Sequence, residues 1–473
     1  MRQDIFDKIM MTKKLLPLIF ILLVLSGCRT YYQKNIKFQN YFASGQMQEA
    51  SDLLDKDQKA KKRRNKVLYL LNQGVVKHLL GDNVASNIFF EDAYNISEDY
   101  SKKFLDETLA MFSNPNLTEY RLENFELLHI HYFKAMNFLY LNDYDAALVE
   151  CRRMYNKLNV LSDKYTSDNR YKKDAFVNNL MGIIYDATGD YNNAFIAYRN
   201  AYEIYKEDYT NLYGIGVPWQ LKYDLIRAAY RTGLKADASR YEKEFDIKYN
   251  PEQYKNHEEL VFFWLNGLGP VKDEWSINFT IVKGQGGYVH FVNEELGLSF
   301  PFLLKDDDKS SGGLGDLKII RVAFPKYVER RPIYSSAQIR INNKVIKLEP
   351  AQSINAIAHK SLEDRMHREL GKGLLRLALK QVAEESLRKK DETSGALLGI
   401  LNAATEKADT RNWQTLPHSI HYTRVFLPEG ENTFMLEVKN ESNNVIKSHN
   451  LIRKITKQKT SFMYFFNLDS RLK

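Results

Sequence analysis

Two cysteines in 473 residues, Cys28 and Cys151, exclude a fold held together by disulfides. A chain of this length buries enough apolar surface to stand without cross-links. Prolines are also scarce, and only Pro115 and Pro218 fall between residues 36 and 250, so long uninterrupted helices are permitted there. No apolar run approaches the ~20 residues that a membrane-spanning helix needs. Catalytic signatures are missing as well: there is no nucleophile elbow, metalloprotease helix or phosphate loop in its required spacing. Gly284-Gln-Gly-Gly287 lacks the strand–turn–helix setting of a dinucleotide fingerprint, and Asp306-Asp307-Asp308 does not have the spacing of a calcium loop. The expectation is a protein that is not an enzyme and needs neither cofactor nor metal.

What is present begins at the N-terminus. Lys13 and Lys14 precede an apolar run from Leu15 to Leu25, broken only by Pro17 and ending in Leu25-Ser26-Gly27-Cys28. A positive end, a short apolar stretch and small residues before a cut describe a secretory signal peptide over residues 1–27. Leu25, Ser26, Gly27 and Cys28 match each place of the lipobox of bacterial lipoproteins. The resemblance implies cleavage before Cys28 and acylation of its thiol, so a membrane is the first expected partner. Arg29 stands where an aspartate would imply inner-membrane retention, so the resemblance points to the outer membrane. The stretch Met1 to Thr12 is long for such a signal, and Met10 or Met11 is the better start.

The full chain carries a net charge of +9, and removal of residues 1–27 takes four basic and two acidic groups, leaving +7. Basic runs occur at Lys59-Ala-Lys-Lys-Arg-Arg64 and at Arg453, Lys454, Lys457 and Lys459. For an exported chain they suit anionic headgroups or acidic polysaccharide better than nucleic acid, unless they are merely a solvated face. An aromatic content of 13% argues against disorder.

Residues 28–250 read as a helical repeat domain. Leu180-Met181-Gly182-Ile183-Ile184-Tyr185, Gly189-Asp190-Tyr191, Ala194, Tyr198 and Ala201 resemble a tetratricopeptide repeat. Gly182 and Ala194 are expected where two helices cross closely, with Tyr185 and Tyr198 in the groove between neighbouring hairpins. The frame recurs at Gly74, Gly81-Asp82, Ser86, Phe90 and Ala93, and at Ala135, Phe138, Asn142-Asp143-Tyr144, Ala147 and Cys151. Weaker copies turn at Gly45 and Gly233. Intervals of 36, 61, 47 and 44 between turns depart from the regular period of about 34, so the array is irregular. Cys151 takes a buried position, and the stripe Tyr191, Phe195, Tyr198, Tyr202, Tyr205 and Tyr209 is expected to be core. His129 and His131 splay to different helix faces and make no metal pair.

Residues 271–473 change character. Strands are expected at Ser276–Val282, Gly287–Asn293, Asp316–Phe324, Ser335–Leu348, Ile420–Leu427, Thr433–Lys439 and Val445–Ile452, as a sandwich-like module. A helical insertion is expected at about 353–406, with Leu370, Leu374, Leu377, Ala378 and Val382 on one stripe. The fold class is therefore α+β. The block from Ala408 to Pro417, with Val322–Tyr327 upstream, resembles a family of bacterial tetratricopeptide-repeat lipoproteins without an assigned activity. Within it Asp409, Arg411 and Trp413 are candidates for a partner-binding site or for a structural brace. The function expected is a membrane-anchored envelope scaffold that binds partner proteins through its repeats. The alternative is a module for peptidoglycan or exported polysaccharide.

Overall fold

Residues 29–62, 64–103, 118–164, 173–254, 257–285, 288–303, 319–390, 407–457 and 460–472 are described by a computed structural model of the chain. Cys28, the stretch before it expected to be an export signal, and residues 391–406 lie outside them.

Helices fill the first half. A short turn, α1 (Tyr31–Lys34), precedes α2 (Ile36–Ala43), α3 (Met47–Lys56), α4 (Lys66–Leu79), α5 (Asn83–Lys103), α6 (Asn124–Tyr140) and α7 (Tyr144–Lys164). Then come α8 (Ala175–Ala187), α9 (Tyr191–Ile204), a π-turn at Tyr205–Tyr209, α10 (Thr210–Tyr213), α11 (Trp219–Arg231) and α12 (Lys235–Phe245). These form five tetratricopeptide-like hairpins, α2/α3, α4/α5, α6/α7, α8/α9 and α11/α12.

Gly45, Gly81, Asn142, Gly189 and Gly233, the five expected turn residues, all adopt positive φ, from 58° to 81°. At each, the following residue donates its N–H to the carbonyl five residues back at 2.9 Å, as Asp82 does to Lys77 and Asp190 to Tyr185. This is the Schellman stop, which glycine enters freely and asparagine at small cost. Asp82, Asp143 and Asp190 then cap the next helix, accepting from the N–H of Ala85, Ala146 and Asn193. One residue ends a helix and its neighbour starts the next. The uneven spacing reflects helix length and connections: α5 and α7 each run 21 residues, against 10 for α3, and residues 205–218 part α9 from α11.

The second half is mostly strand. In order these are β1 (Glu258–Leu268), β2 (Val271–Lys283), β3 (Tyr288–Asn293), β4 (Leu298–Leu303), β5 (Ile319–Val328), β6 (Arg330–Pro332), β7 (Ser336–Ile341) and β8 (Lys344–Ser353). The long helix α13 (Ile354–Lys390) follows, then β9 (Pro417–Leu427), β10 (Gly430–Lys439), β11 (Val445–Ile455), β12 (Ser461–Asn467) and β13 (Ser470–Leu472). Seven of them make one sheet in the order β11-β10-β7-β8-β9-β1-β12, in which β1 and β12 run parallel and the other pairs antiparallel. A four-stranded sheet, β4-β3-β2-β5, stands beside it.

The sandwich expected from the short strands is replaced by a curled sheet. A register shift between Pro350 and Gln352 bends β8, as bulges do. Phe262 of β1 meets Phe434 of β10 at 6.2 Å, although three strands separate them in the sheet order. His449 and Phe465, on the two terminal strands, approach to 4.5 Å. Leu260, Phe262 and Trp264 thus line a core inside the curl, while Val261, Phe263 and Leu265 face the helices in a larger one. The helix α13 lays Leu370, Leu374 and Ala378 into that larger core, against the four-stranded sheet.

Candidate functional site at the joint of helices and sheet

The first helix of each hairpin turns toward the sheet. In α6, fourteen of seventeen residues are buried, among them His129, His131 and Lys134. The sheet reaches back with polar side chains. Tyr464 donates its N–H to Tyr140 Oη at 2.8 Å and its hydroxyl to the His78 carbonyl at 2.9 Å, with the His78 and Tyr464 rings stacked. Thr415 Oγ1 donates to Asn72 at 3.0 Å, and Tyr422 Oη to Asn179 at 3.4 Å. The residues met this way lie on α4, α6 and α8. The face that these helices turn inward is therefore occupied by the chain's own strands.

Arginines form the densest part of this joint. Arg424, projecting from β9, donates to Asp224 of α11 at 3.1 Å, to Asp186 of α8 at 3.2 Å, to Tyr198 Oη of α9 at 3.2 Å, and to Glu259 of β1. Arg227 reaches Glu259 at 2.8 Å and Asp186, while Arg231 reaches Asp186 at 2.7 Å and Glu259 at 3.2 Å. Arg424, Arg227, Asp186 and Asp224 are buried. Burial alone would raise the Glu259 carboxyl, but the Arg227 and Arg424 guanidiniums hold it down to about 2. Three cations and three carboxylates cancel, which is the condition for burying charge without a large penalty.

Above this network opens a cleft of about 480 Å³, lined by Tyr191, Tyr223, Tyr249, Arg231, His257 and Glu258 among others. Its volume falls in the range of roughly 300–1,000 Å³ usual for small-ligand sites. Tyr249 stands between Tyr223 at 5.6 Å and Tyr230 at 5.1 Å, and half-exposed Trp219 stacks on Tyr223. The cleft thus combines aromatic faces with hydrogen-bonding groups fixed by ion pairs.

The residues singled out from sequence lie elsewhere. Arg411 binds Asp409 through two nitrogens at 2.7 and 2.8 Å and donates to the carbonyls of Arg64 and Thr118. Trp413 is 1% exposed, donates its backbone N–H to Glu126 at 2.7 Å, and packs near Phe90 and Phe133. Asp409 holds Arg411, which ties the segment before β9 to the chain ahead of α4 and of α6, and Trp413 ties it to α6. Arg411 and Trp413 leave almost no surface to a ligand. His418 bonds Glu329 at 3.0 Å, and His421, buried against Trp264, is pushed down to about 3 by that burial. His129 and His131 bond the Phe125 carbonyl and Glu150, each at 2.7 Å. Among the described residues no three His, Cys, Asp or Glu side chains converge as metal ligands. Nor is any described helix long and apolar enough to cross a membrane.

Sequence reading missed the arginine network, because its members are spread from residue 186 to residue 424 with no local motif. The one available signal is Arg424 itself, a charge inside the otherwise uncharged run Ile420–Leu427 apart from His421.

No known family model matches the sequence, and no curated protein matches it. Solved structures similar to part of the chain are helical repeat proteins. MamA is 16% identical over 43% of this chain and 90% of its own, at a TM-score of 0.28. The TPR-like repeats of a Podosopora anserina kinesin light chain are 14% identical over 45% and 91%, at 0.31. A tetratricopeptide repeat protein from Parabacteroides merdae is 16% identical over 46% and 79%, at 0.21. At such scores they carry no argument about function, and the hairpins described above stand on their own geometry.

Proposed function

We propose that this chain is a lipid-anchored protein of the bacterial envelope, tethered through Cys28, outer membrane rather than inner, that acts as a scaffold for partner proteins. One observation carries the scaffold reading. With the inner face filled, the second helices of three successive hairpins still present exposed aliphatic side chains: Val84 and Ile88 on α5, Val149 and Val160 on α7, and Ile196 on α9. Apolar groups repeated on one class of helix suit contact with another protein surface. Photo-crosslinking from Ile88, Val149 and Ile196 in cells tests this, with the exposed positions Lys347 and Lys447 as controls. Recovery of the same envelope protein from the three helices and not from the controls is expected; no adduct above the controls overturns the reading. The anchor is tested by labelling with an alkynyl fatty acid, which Cys28→Ser should abolish.

A second reading, binding of peptidoglycan or exported polysaccharide, is favoured by the tyrosine-lined cleft. Its ion pairs leave only Glu258 in excess, so an anionic ligand gains little there, whereas a neutral polyhydroxylated one finds donors, acceptors and ring faces. Cosedimentation with peptidoglycan that persists in Tyr249→Ala at wild-type strength would remove the cleft from consideration.

A further inference from the structure

The charge of this chain is unevenly placed along it. Residues 29–66 hold ten basic and four acidic groups, a net +6, whereas the 407 residues from 67 onward hold only +1. Nearly the whole positive excess of the exported chain thus sits in its first 39 residues.

The fold gathers this excess at one corner. The Tyr31 N–H donates to Thr410 Oγ1 at 2.9 Å, fastening the start of the described chain to the segment before β9. The Arg64 carbonyl accepts from Arg411 at 2.9 Å and from the Tyr120 N–H at 3.1 Å, bringing the basic run to the same place. Lys34 is held below its usual range by partial burial and by the charges of Arg64 and Lys407. Lys37, Lys56, Lys59 and Lys62 are exposed, while Asp55 pairs with Lys61 at 3.6 Å and Asp409 is taken up by Arg411. Like charges crowded together repel one another, and an external surface of opposite sign relieves that cost.

We propose that this corner, formed by residues 29–37, 56–62, 64–66 and 407–411, lies flat against an anionic phospholipid bilayer, its lysines and arginines meeting headgroup phosphates. Only the manner in which the corner is brought to the membrane rests on acylation of Cys28; the surface itself does not. Residue 29 follows the expected attachment point directly, so an anchor there keeps the corner within the ~10 Å over which such fields act at moderate salt. Acyl chain and basic patch then act as two signals, the combination that gives firm attachment. The contact also fixes orientation: a chain tethered at one point pivots, and one held by a charged face does not.

The test uses the chain from residue 29 onward, which contains every described residue and lacks Cys28. Flotation with phosphatidylglycerol–phosphatidylcholine vesicles should recover the protein at low salt and release it as salt rises. Vesicles of phosphatidylcholine alone should leave it unbound. Each basic group removed is expected to lower the partition coefficient about fivefold. The quadruple charge reversal Lys37→Glu, Lys56→Glu, Lys59→Glu and Lys62→Glu should therefore abolish binding. Reversal of the exposed lysines Lys235, Lys243, Lys347 and Lys447 should leave most of it. Circular dichroism checks that both variants stay folded. No binding to anionic vesicles at low salt, or equal loss in the two quadruple variants, overturns the proposal. So does retention on acidic polysaccharide with none on vesicles. Absence of fatty-acid labelling in the wild-type chain would defeat the anchor and leave these vesicle results standing.

Discussion

At the scale of single residues, the helix crossings show how strictly size is matched. A Cβ added at Gly74 would lie 2.6 Å from the Phe90 ring, and Gly182 is covered in the same way by Tyr198. These aromatics pack over the glycine of their own hairpin, and it is Tyr185 that reaches a neighbouring one, through Arg152. In the third hairpin Ala135 replaces glycine, and Cys151 stands where the ring would be, sixteen residues on as in the other two. The thiol is buried, and that burial pushes it far above its usual range, so it serves as a small apolar filler. Gly74→Ala should cost about 1–3 kcal/mol by overpacking. Gly74→Ala combined with Phe90→Cys should cost less than the sum of the two singles, read by urea unfolding. A second residue prediction concerns Arg424. Arg424→Ala leaves buried carboxylates short of a partner and should cost about 3–5 kcal/mol. Exposed Arg368→Ala should stay within about 0.5 kcal/mol.

At the scale of elements, the turns and most strands were legible and the central strand was not. Gly-Asp and Asn-Asp pairs mark three helix ends by local chemistry, and a lone glycine at 45 and at 233 marks the other two, so all five turns could be placed from sequence. Alternating strands such as β10 were equally visible. β1 was missed because its run Leu260–Leu268 is buried on both faces, which erases alternation and leaves an apolar stretch that fits helix as well as strand. β12 was missed for a related reason: it is an unbroken apolar and aromatic run, Phe462 to Phe466, and pairs with a strand two hundred residues earlier. The joint at Asp409, Arg411 and Trp413 was visible as an unusual block, but its partners, Arg64, Thr118 and Glu126, could only be found in three dimensions. For α13, Leu370, Leu374, Leu377 and Ala378 of the stripe expected from sequence are packed, and Val382 lies outside the described side chains. Leu374→Ala there should cost about 2–5 kcal/mol in denaturant unfolding, because the cavity opens against the four-stranded sheet.

At the scale of the whole molecule, helices and sheet share one apolar core and a polar seam, so they should not melt separately. Far-ultraviolet circular dichroism, which reports the helices, and near-ultraviolet signals from Trp264 and Trp413 should trace one coincident transition. Acid should weaken the whole in two stages. Burial brings His78 down to about 4 and His421 to about 3, each below the ordinary histidine value. A group whose folded pKa is depressed loses its contribution as pH falls, so stability should begin to decline below about 6.5 as the unfolded chain takes up those protons. The second stage, from about 4.5 toward 2, belongs to Glu259, whose charge the arginines hold, and to Glu123, held by Arg365 and Lys272. Urea midpoints across that range should show both declines, and His421→Phe should flatten only the upper one.

The parallel pairing of β1 with β12 has a consequence for biogenesis. A ribosome delivers the hairpins first and residues 461–467 almost last, yet the first helices need those late strands to cover their inner faces. Until then the half-made array shows water a surface that later becomes core. Such a chain cannot mature piece by piece as simple repeat arrays do. It must be kept from aggregating until its final segment arrives. Truncation near the C-terminus, well beyond the last helix, should therefore strand the helices as effectively as damage to the helices themselves.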